Sequence, residues 1–444
     1  MTDVNSTSAT PSQHWYWEPV SRIRGDILIP GDKSVSHRAL MLGAVAEGES
    51  RIHGFLAGED CLASLRVLRQ LGVNIIQHPA GAVEVHGVGL DGLKQSVSPL
   101  DMGNAGTAMR LFMGLLSGRS FESTLIGDQS LMRRPMERVA APLREMGARI
   151  STSEGRPPVC IHAGKSLQAI DYLLPVASAQ VKSAILLAAL RAGGTTIVTE
   201  PAPTRDHTER MLQGFGVTLL REGLRVGLAG GQRLQGTRID VPGDISSAAF
   251  FLVAGSIARE GELVLRNVGM NPTRDGILRI LRAMGADITV LEERRLAEPV
   301  ADLLVRPARL RGIEVPSEWV PLAIDEFPAF FVAAACAEGR SRLRGAAELR
   351  VKESDRLAVM SDGLRALGIE HALSEDGIDI AGSHGEGDIF EGGEIDSHGD
   401  HRIAMSFAVA SLRAAAPIRI RDVANVATSF PSFSALAAEV GLRQ

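Results

Sequence analysis

The chain has 444 residues, which is too long for one hydrophobic core and predicts two or three domains. Its content of 45% apolar and 22% charged residues is typical of a globular protein, and its formal net charge of −5 excludes a general attraction to nucleic acid or anionic membranes. No apolar stretch reaches the ~18–20 residues that span a bilayer, so we expect neither nucleic acid nor a membrane as a partner.

The chain begins with a polar segment. Residues 1–16 are rich in Ser and Thr, contain no Lys or Arg and lack an apolar core, which is typical of neither a secretory signal nor a transit peptide. We therefore predict a disordered tail over residues 1–16. The cysteines Cys61, Cys160 and Cys336 are far apart and odd in number, which predicts a reducing, cytoplasmic location without disulfides.

The rest of the chain is a sixfold repeat. The segments IPGDKSVSHRALMLGAVAEGESRI from Ile29 and VPGDISSAAFFLVAGSIAREGELVL from Val241 share a pattern, and further copies begin near Gly103, Ser178, Asp325 and Gly399. A repeat of this length is a complete supersecondary unit. We read each unit in rough outline as strand, helix, strand, strand, helix, strand.

Each unit has two predicted helices. The first is apolar on all sides, which predicts burial, and the second is amphipathic and ends at a glycine. In chain order, the apolar stretches are residues 39–45, 111–116, 184–190, 248–257, 330–337 and 403–412, and the terminal glycines are Gly72, Gly147, Gly216, Gly285, Gly368 and Gly441.

Six units divide into two sets of three, and the near-identical PGD segments mark where each set begins. The chain should therefore cross between two domains near Pro30 and Pro242. We predict one domain over residues 31–243 and a second, discontinuous domain from residues 17–30 and 244–444.

Polar side chains recur where the helices begin. A helix N-terminus favours anions, so several such ends around one cleft would form an anion site in a protein without net positive charge. One such residue alone is more simply an exposed ion pair, but the recurrence favours a site. The set is Lys33, Ser34, Arg38, Asn104, Thr107, Arg110, Ser178, Gln180, Lys182, His401 and Arg402 at the first helices, and Arg133, Arg134, Arg205, Lys352 and Arg356 at the second.

Acidic residues lie among these cations. Asp325 and Glu326 interrupt an apolar segment, and Glu353 lies between Lys352 and Arg356. A carboxylate held among cations in a closed cleft can accept or donate a proton, although Glu353 could equally be one half of a helix-start ion pair.

Two other kinds of site are not favoured. His398 and His401 are close to two aspartates, but the stretch is broken by glycine and lacks metal-ligand spacing, so we predict no metal. The chain also lacks the glycine-rich fingerprints of phosphate loops and dinucleotide sites.

The motifs GDKSVSHRA, GNAGTAMR, RRPM, SAQVKSA, DEFP, RVKESDRL and GDHRIAMSF follow one another in an order that resembles the 5-enolpyruvylshikimate-3-phosphate (EPSP) synthase family over nearly the whole chain after the tail. The resemblance implies an α/β fold, an inside-out α/β barrel of two domains with three βαββαβ repeats each and the active site in the interdomain cleft. It also implies transfer of the enolpyruvyl group of phosphoenolpyruvate to the 5-hydroxyl of shikimate 3-phosphate, in chorismate biosynthesis, without a cofactor.

The resemblance assigns site residues by their motifs. Asp325 would accept the 5-hydroxyl proton, and Glu353, with Lys33 nearby, would protonate the methylene carbon of phosphoenolpyruvate. The implied shikimate 3-phosphate ligands are Lys33, Ser34, Arg38, Ser178, Ala179, Gln180, Arg205, Asp325 and Lys352. The implied phosphoenolpyruvate ligands are Lys33, Gly106, Arg134, Gln180, Arg356 and Arg402.

Two positions depart from part of the family and are similar to its second bacterial branch. Thr428 stands where some members have a lysine, so one phosphoenolpyruvate contact is missing or replaced, and Ala179 stands where others have serine. That branch often carries alanine where this chain has Gly106. Since Gly106 leaves room for glyphosate, we predict an enzyme that glyphosate inhibits, and we expect a monomer.

Two alternatives remain at this stage. One is the related enolpyruvyl transferase that acts on a UDP-linked amino sugar, which typically uses a loop cysteine; the loop GDQSLMRRPM here contains none. The other is a non-catalytic repeat scaffold, whose copies would carry similar surface residues. The charged residues differ from copy to copy, which argues against a scaffold.

Overall fold

The structure is a computed structural model that describes residues 14–444 apart from residues 80, 165, 295–296 and 384–386. The predicted tail lies outside the described residues as far as residue 13. Its last two residues, Trp15 and Tyr16, instead belong to a strand, because this strand pairs with one near the C-terminus and the Trp15 ring stacks on Phe433 at 5.5 Å. Within the described ranges, no helix is long and apolar enough to cross a membrane.

The helices and strands alternate along the chain. The α-helices of the described residues are α1 (Lys33–Val45), α2 (Glu59–Gln70), α3 (Gly106–Leu116), α4 (Glu137–Glu145), α5 (Ala179–Ala189), α6 (His207–Gly214), α7 (Ile245–Ile257), α8 (Gly276–Ala283), α9 (Phe327–Ala335), α10 (Arg356–Ala366), α11 (His401–Ala410), α12 (Val426–Ser429) and α13 (Phe433–Glu439). Short 3-10 helices lie at Leu131–Arg133, Ser317–Trp319, Ala347–Val351 and Ser411–Arg413.

The strands in the same ranges are β1 (Trp15–Trp17), β2 (Arg22–Leu28), β3 (Glu47–His53), β4 (Asn74–Gln77), β5 (Val83–Val88), β6 (Leu100–Asp101), β7 (Ser123–Ile126), β8 (Ile150–Ser153), β9 (Arg156–Ile161), β10 (Leu167–Gln168), β11 (Asp171–Leu173), β12 (Ala192–Gly193), β13 (Thr195–Thr199), β14 (Leu219–Glu222), β15 (Arg225–Ala229), β16 (Arg238–Asp240), β17 (Glu260–Gly269), β18 (Asp287–Arg294), β19 (Val300–Arg306), β20 (Arg340–Leu343), β21 (His371–Leu373), β22 (Ile378–Ala381), β23 (Gly393–Asp396) and β24 (Ile418–Arg421).

A four-stranded sheet recurs in the repeats. In the second repeat its order is β6-β7-β9-β8, with β6 and β7 parallel and β9 antiparallel to both of its neighbours. The same arrangement is found in β16-β3-β5-β4 and β11-β13-β15-β14. Sheets of this kind, each covered by helices, place the chain in the α/β class.

The order of elements within a repeat differs from the prediction in one respect. In the first, second and fourth repeats one strand rather than two separates the two helices, so the order is βαβαββ instead of βαββαβ. In the third repeat the short strand β12 lies beside β13 between α5 and α6. The antiparallel pair forms a tight hairpin after the second helix, as at Glu154 and Gly155 between β8 and β9. Both strands of the hairpin therefore come after the second helix in the chain.

Local signals mark both ends of the helices. Asp32, Ser178, Asp244 and Asp400 cap α1, α5, α7 and α11, each accepting a hydrogen bond from a backbone N–H of the first turn. The six predicted terminal glycines, in chain order, have φ values of 88°, 93°, 87°, 91°, 80° and 105°. This left-handed conformation ends a helix and is one that glycine adopts without strain.

The apolar helices form two separate hydrophobic cores. One core contains α1, α3 and α5 and draws its buried residues from Val35 to Val241. The other contains α7, α9 and α11 and combines Trp17–Ile29 with Ile245–Leu442. We propose that these cores are the two domains predicted at residues 31–243 and at 17–30 with 244–444.

Candidate active site

A cleft with a cavity volume of about 270 Å³ lies where the buried helices of both cores begin. Among the residues that the structure describes, eight Lys or Arg side chains and five Asp or Glu side chains line it. A chain with a net charge of −5 thus carries a local excess of positive charge at this cleft. The predicted site residues that line the cleft are Lys33, Ser34, Gly106, Arg134, Ser178, Ala179, Gln180, Arg205, Asp325, Lys352, Glu353 and Arg402.

Lys33 is the first residue of α1, directly after the capping Asp32. Its Nζ atom lies 2.8 Å from Oδ2 of Asp60, in the first turn of α2. Burial alone would lower the pKa of the Lys33 ammonium, but Asp60 and Glu353 raise that pKa overall. Lys33 is therefore a fixed positive charge at the base of the cleft.

Arg134 faces the beginning of α3. Its Nη2 atom donates to Oδ1 of Asn104 at 2.6 Å and to Oγ of Ser130 at 3.1 Å. Gly106, the first residue of α3, lies directly below it: a Cβ at residue 106 would lie 3.0 Å from Nη1 of Arg134 and 3.2 Å from Nη1 of Arg110. The absence of a side chain at Gly106 leaves the space in front of both guanidinium groups free.

Gln180 connects two of the helix starts. Its Nε2 atom donates to Oγ1 of Thr107 at 2.9 Å, and its Oε1 atom accepts from Nη1 of Arg110 at 2.9 Å. Burial, with Arg138 and Arg134 adding to it, lowers the pKa of the Arg110 guanidinium to about 9. The charged form of Arg110 is therefore disfavoured, and an anion bound beside it would stabilise that form.

Asp325 lies among four cations. Arg205 contacts its Oδ2 atom, Arg356 donates to Oδ1 at 3.2 Å, and the ammonium of Lys352 is 3.6 Å from Oδ1. Burial acts to raise the pKa of the Asp325 carboxyl, but Lys352, Arg205, Arg402 and Arg356 outweigh it and hold this pKa well below the usual range. Asp325 is therefore ionised among these cations.

Glu353 is the second carboxylate of the cleft. Nη2 of Arg356 donates to its Oε2 atom at 2.5 Å, and Nη1 of Arg134 is 3.7 Å from Oε1. Burial opposes ionisation here as well, yet Arg356 and Arg134 hold the pKa of Glu353 well below its ordinary value. Since Arg356 contacts both Asp325 and Glu353, one guanidinium fixes the two carboxylates side by side.

Arg402 and His401 begin α11 on the far side of the cleft. Nη1 of Arg402 donates to the backbone carbonyl of Asp325 at 3.0 Å. Burial, together with Lys33 and Arg402, holds the pKa of His401 well below its usual value, so this imidazole is neutral at pH 7. His398 lies outside the cleft lining, in an exposed turn.

Two predicted ligands lie behind the cleft wall. Arg38 is buried and donates to the carbonyl of Ser34 at 2.9 Å, to Thr208 at 2.7 Å and to Ser183 at 2.9 Å. Arg356 is also buried, held by Asp400 at 2.8 Å. Both guanidinium groups contact residues of the cleft without lining it themselves.

Two further residues of the polar set, Lys182 and Arg133, do not join the site, and neither does Thr428. Lys182 is buried between Glu200 and Glu209, at 2.8 Å and 2.7 Å, because its position in α5 directs it into the interior of its own core. Arg133 is exposed. Thr428, in α12, donates to the carbonyl of Asn425 at 2.6 Å and so caps its own turn instead of replacing the missing lysine.

Several residues of the cleft lie outside the set predicted from the sequence. Asp60 is paired with Lys33, and Arg138 forms an ion pair with Glu348 at 3.0 Å across the cleft mouth. Asp60 and Arg138 lie in the first turns of α2 and α4, the second helices of their repeats. The signal for them in the sequence is therefore the same as for the other site residues: a charged side chain where a helix begins. Thr204, Asp244, Ser246, Arg274 and Glu348 also line the cleft.

The cysteines do not provide a nucleophile for this cleft. Cys61 follows Asp60 but is fully buried, with Sγ 3.7 Å from the carbonyl of Lys33, and burial raises its thiol pKa well above the ordinary value. A thiol with a raised pKa is a poor nucleophile. Cys336 is buried and Cys160 is half-buried in β9.

Comparisons with known proteins show where similar chains occur. The family model described as EPSP synthase (3-phosphoshikimate 1-carboxyvinyltransferase) matches residues 17–436. The 3-phosphoshikimate 1-carboxyvinyltransferase of Methylococcus capsulatus is 58% identical over 426 residues, covering 96% of both chains. That of Halorhodospira halophila is 59% identical over 432 residues, covering 97% of this chain and 96% of the relative.

Solved structures give the same result. The structure of EPSP synthase from Acinetobacter baumannii has a TM-score of 0.87 and 54% identity, covering 98% of this chain and all of that one. The enolpyruvyl transferase NikO from Streptomyces tendae has a TM-score of 0.79 with 98% of each chain covered, but at 16% identity it supports the fold alone.

Proposed function

Because the chain belongs to the EPSP synthase family, we propose that it is a 3-phosphoshikimate 1-carboxyvinyltransferase that transfers the carboxyvinyl group of phosphoenolpyruvate to the 5-hydroxyl of shikimate 3-phosphate in aromatic amino acid biosynthesis. One observation supports this function at the level of the site: Arg356 binds both Asp325 and Glu353 within a cation-rich cleft. Each substrate carries a phosphate and a carboxylate, which such a cleft would neutralise.

We propose a division of the cleft between the two substrates. Shikimate 3-phosphate binds Lys33, Ser34, Ser178, Ala179, Gln180, Arg205, Asp325 and Lys352, and Arg38 supports this subsite through the carbonyl of Ser34. Phosphoenolpyruvate binds Lys33, Gly106, Arg134, Gln180 and Arg402, and Arg356 supports it by holding Glu353.

The reaction then proceeds by addition and elimination. The 5-hydroxyl oxygen bonds to carbon 2 of phosphoenolpyruvate while its proton moves to Asp325, and Glu353 delivers a proton to the methylene carbon. The bond between carbon 2 and the phosphate oxygen breaks next, Glu353 recovers its proton, and the departing phosphate takes the proton held by Asp325. The protein contributes placement and charge neutralisation.

Substrate binding prepares Glu353 for this role. Against the effect of burial, the pKa of Glu353 is depressed chiefly by Arg356 and Arg134, so with these cations beside it the carboxylate holds no proton to donate. The anionic groups of phosphoenolpyruvate would neutralise these cations and raise that pKa. Glu353 would then be protonated only when phosphoenolpyruvate is present, which limits wasteful proton transfer.

Phosphate release tests the proposal directly. We expect the wild-type protein to release phosphate only when phosphoenolpyruvate and shikimate 3-phosphate are both present, and to be unaffected by a chelator. Glu353→Gln should lower kcat about 100-fold or more, the usual effect of losing a general acid–base group. Glu370→Gln, at an exposed carboxylate, is the matched control.

Release with one substrate omitted would contradict the proposal, as would turnover of a UDP-linked amino sugar in place of shikimate 3-phosphate. Full activity of a folded Glu353→Gln variant would refute the role given to Glu353, whereas a folded wild type that releases no phosphate with both substrates present would revive the scaffold alternative. Glyphosate is proposed as a ligand of the phosphoenolpyruvate subsite. The monomeric state and the cytoplasmic location stay predictions of the sequence.

A further inference from the structure

The two chain segments that connect the cores lie against each other. The backbone N–H of Asp32 donates to the carbonyl of Pro242 at 2.7 Å, and the N–H of Asp244 donates to the carbonyl of Pro30 at 2.8 Å. These reciprocal hydrogen bonds join equivalent positions of the two PGD segments. Any change in the angle between the cores must therefore bend the chain at this crossing.

Arg274, in the loop before α8, holds the crossing together. Its Nη1 atom lies 3.3 Å from Oδ2 of Asp32, and its Nη2 atom lies 3.4 Å from Oδ1 of Asp244 and 2.7 Å from Oγ of Ser246. The carboxylate of Glu326 is 3.6 Å from the same Nη2 atom. One guanidinium, only 3% exposed, thus connects the N-terminal caps of α1 and α7.

The three carboxylate partners of Arg274 each lie next to a residue of the proposed active site, either in the sequence or in space. Asp32 precedes Lys33 and caps its helix, and Asp244 accepts a hydrogen bond from the backbone N–H of Lys33 at 3.3 Å. Glu326 follows Asp325 and lies 3.8 Å from Nη1 of Arg402. Lys33 belongs to one proposed domain, and Asp325 and Arg402 belong to the other.

We propose that Arg274 is a positioning residue for the proposed reaction: by binding Asp32 and Asp244 together, it sets the angle between the two cores at which Lys33 meets Asp325 and Arg402. This inference rests on the proposed function. Arg274 lines the cleft, but carboxylates already occupy both of its terminal nitrogens, so it does not serve as a further phosphate ligand. A guanidinium suits this position because its fork reaches two acceptors at once.

The test separates binding of one substrate from alignment of the two cores. Six of the eight proposed shikimate 3-phosphate ligands lie in one core and only Asp325 and Lys352 lie in the other, so Arg274→Gln should change the Kd for shikimate 3-phosphate alone by less than about threefold. Turnover of phosphoenolpyruvate needs Asp325 and Glu353 of the second core aligned with Lys33 of the first, so kcat/KM for phosphoenolpyruvate should fall at least 30-fold. Arg279→Gln, an exposed arginine of α8 paired with Asp275, should match the wild type in both measurements.

Arg274→Lys tests whether charge alone is sufficient. An ammonium keeps the charge but lacks the fork that joins Asp32 to Asp244, so kcat/KM for phosphoenolpyruvate should stay at least tenfold below the wild type. If lysine restores the wild-type value, the role is electrostatic and the positioning proposal is wrong. Should Arg274→Gln fail to fold, Arg274→Gln with Asp244→Asn removes one unpaired carboxylate while asparagine still caps α7.

Small-angle X-ray scattering gives a result that does not depend on turnover. Without ligands, Arg274→Gln should have a larger radius of gyration than the wild type and Arg279→Gln, because its crossing is no longer fixed. An unchanged radius together with kinetic constants within twofold of the wild type would overturn the proposal. Parallel losses of shikimate 3-phosphate binding, turnover and Tm would also overturn it, since they indicate a purely structural role. An inactive wild type would instead refute the proposed function.

Discussion

Gly106 shows how a single residue can set which anions the cleft accepts. It opens α3 in front of Arg134 and Arg110, and a Cβ there would approach both guanidinium groups at 3.0–3.2 Å. Because both side chains are buried, neither can move away without losing packing or hydrogen bonds. The space above Gly106 is therefore available to an inhibitor longer than phosphoenolpyruvate.

We predict that glyphosate inhibits the wild-type enzyme in competition with phosphoenolpyruvate. Gly106→Ala should weaken glyphosate inhibition at least fivefold, corresponding to roughly 1 kcal/mol or more of overpacking. The KM for shikimate 3-phosphate serves as an internal control and should change little. Negligible inhibition of the wild type at high glyphosate and low phosphoenolpyruvate would contradict the prediction, as would equal inhibition of both proteins.

At the scale of the element, the second helix of each repeat ends at a glycine in the left-handed conformation. The terminal glycine allows a left-handed turn that closes the helix. In the first five repeats the chain then enters the hairpin of its sheet. In α6 the sequence provides two glycines with different roles: Gly214 is helical, and Gly216 has a φ of 87°. A Cβ at either position would meet no atom within 4 Å, so only the backbone conformation separates them.

We expect opposite effects from the same substitution at these two positions. Gly216→Ala should lower the free energy of unfolding by about 1 kcal/mol, because alanine is strained in the left-handed region. Gly214→Ala should raise it by roughly 0.5–1 kcal/mol, because alanine favours the helix. Urea unfolding of the two variants checks this, and each is the other's control. Effects of the same sign would show that the terminal glycine is not required by its φ.

For the whole molecule, the two carboxylates of the cleft stabilise the arrangement of cations around them. The pKa values of Asp325 and Glu353 in the folded protein are depressed below their ordinary values of 3.8 and 4.5. Groups with depressed pKa values contribute stability above their unfolded pKa and lose it as the pH falls towards the folded pKa. The loss of stability of the protein in acid should therefore originate partly in the cleft.

Asp325→Asn with Glu353→Gln tests this contribution. At pH 7 the double variant should be less stable than the wild type by about 3 kcal/mol or more, because Arg205, Arg356 and Lys352 each lose a carboxylate partner in the cleft. The difference should narrow as the pH falls below about 4.5, since only the wild type still titrates these groups. Urea unfolding at pH 7, 5 and 3.5 measures it, with Glu370→Gln as control. A difference that is independent of pH would refute the explanation.

Local patterns were sufficient for the helices and their ends. The apolar first helices and the glycines at the ends of the second helices depend on residues close together in sequence, so their positions could be predicted. The order of the strands could not be predicted, because the hairpin strands are short. For example, β8 has four residues and β9 has six. The resemblance to a known family supplied the site residues.

The sequence by itself determined that six related units would direct polar helix starts towards an anion site. Only the tertiary structure decided which of these residues meet. Lys33 and Lys182 both lie in the first turns of buried helices, yet Lys33 faces the cleft and Lys182 is enclosed by Glu200 and Glu209. The partners of a buried charge come from distant parts of the chain, and no local pattern specifies them. For the same reason, the position of Arg274 between Asp32 and Asp244 could be found only after the chain had folded.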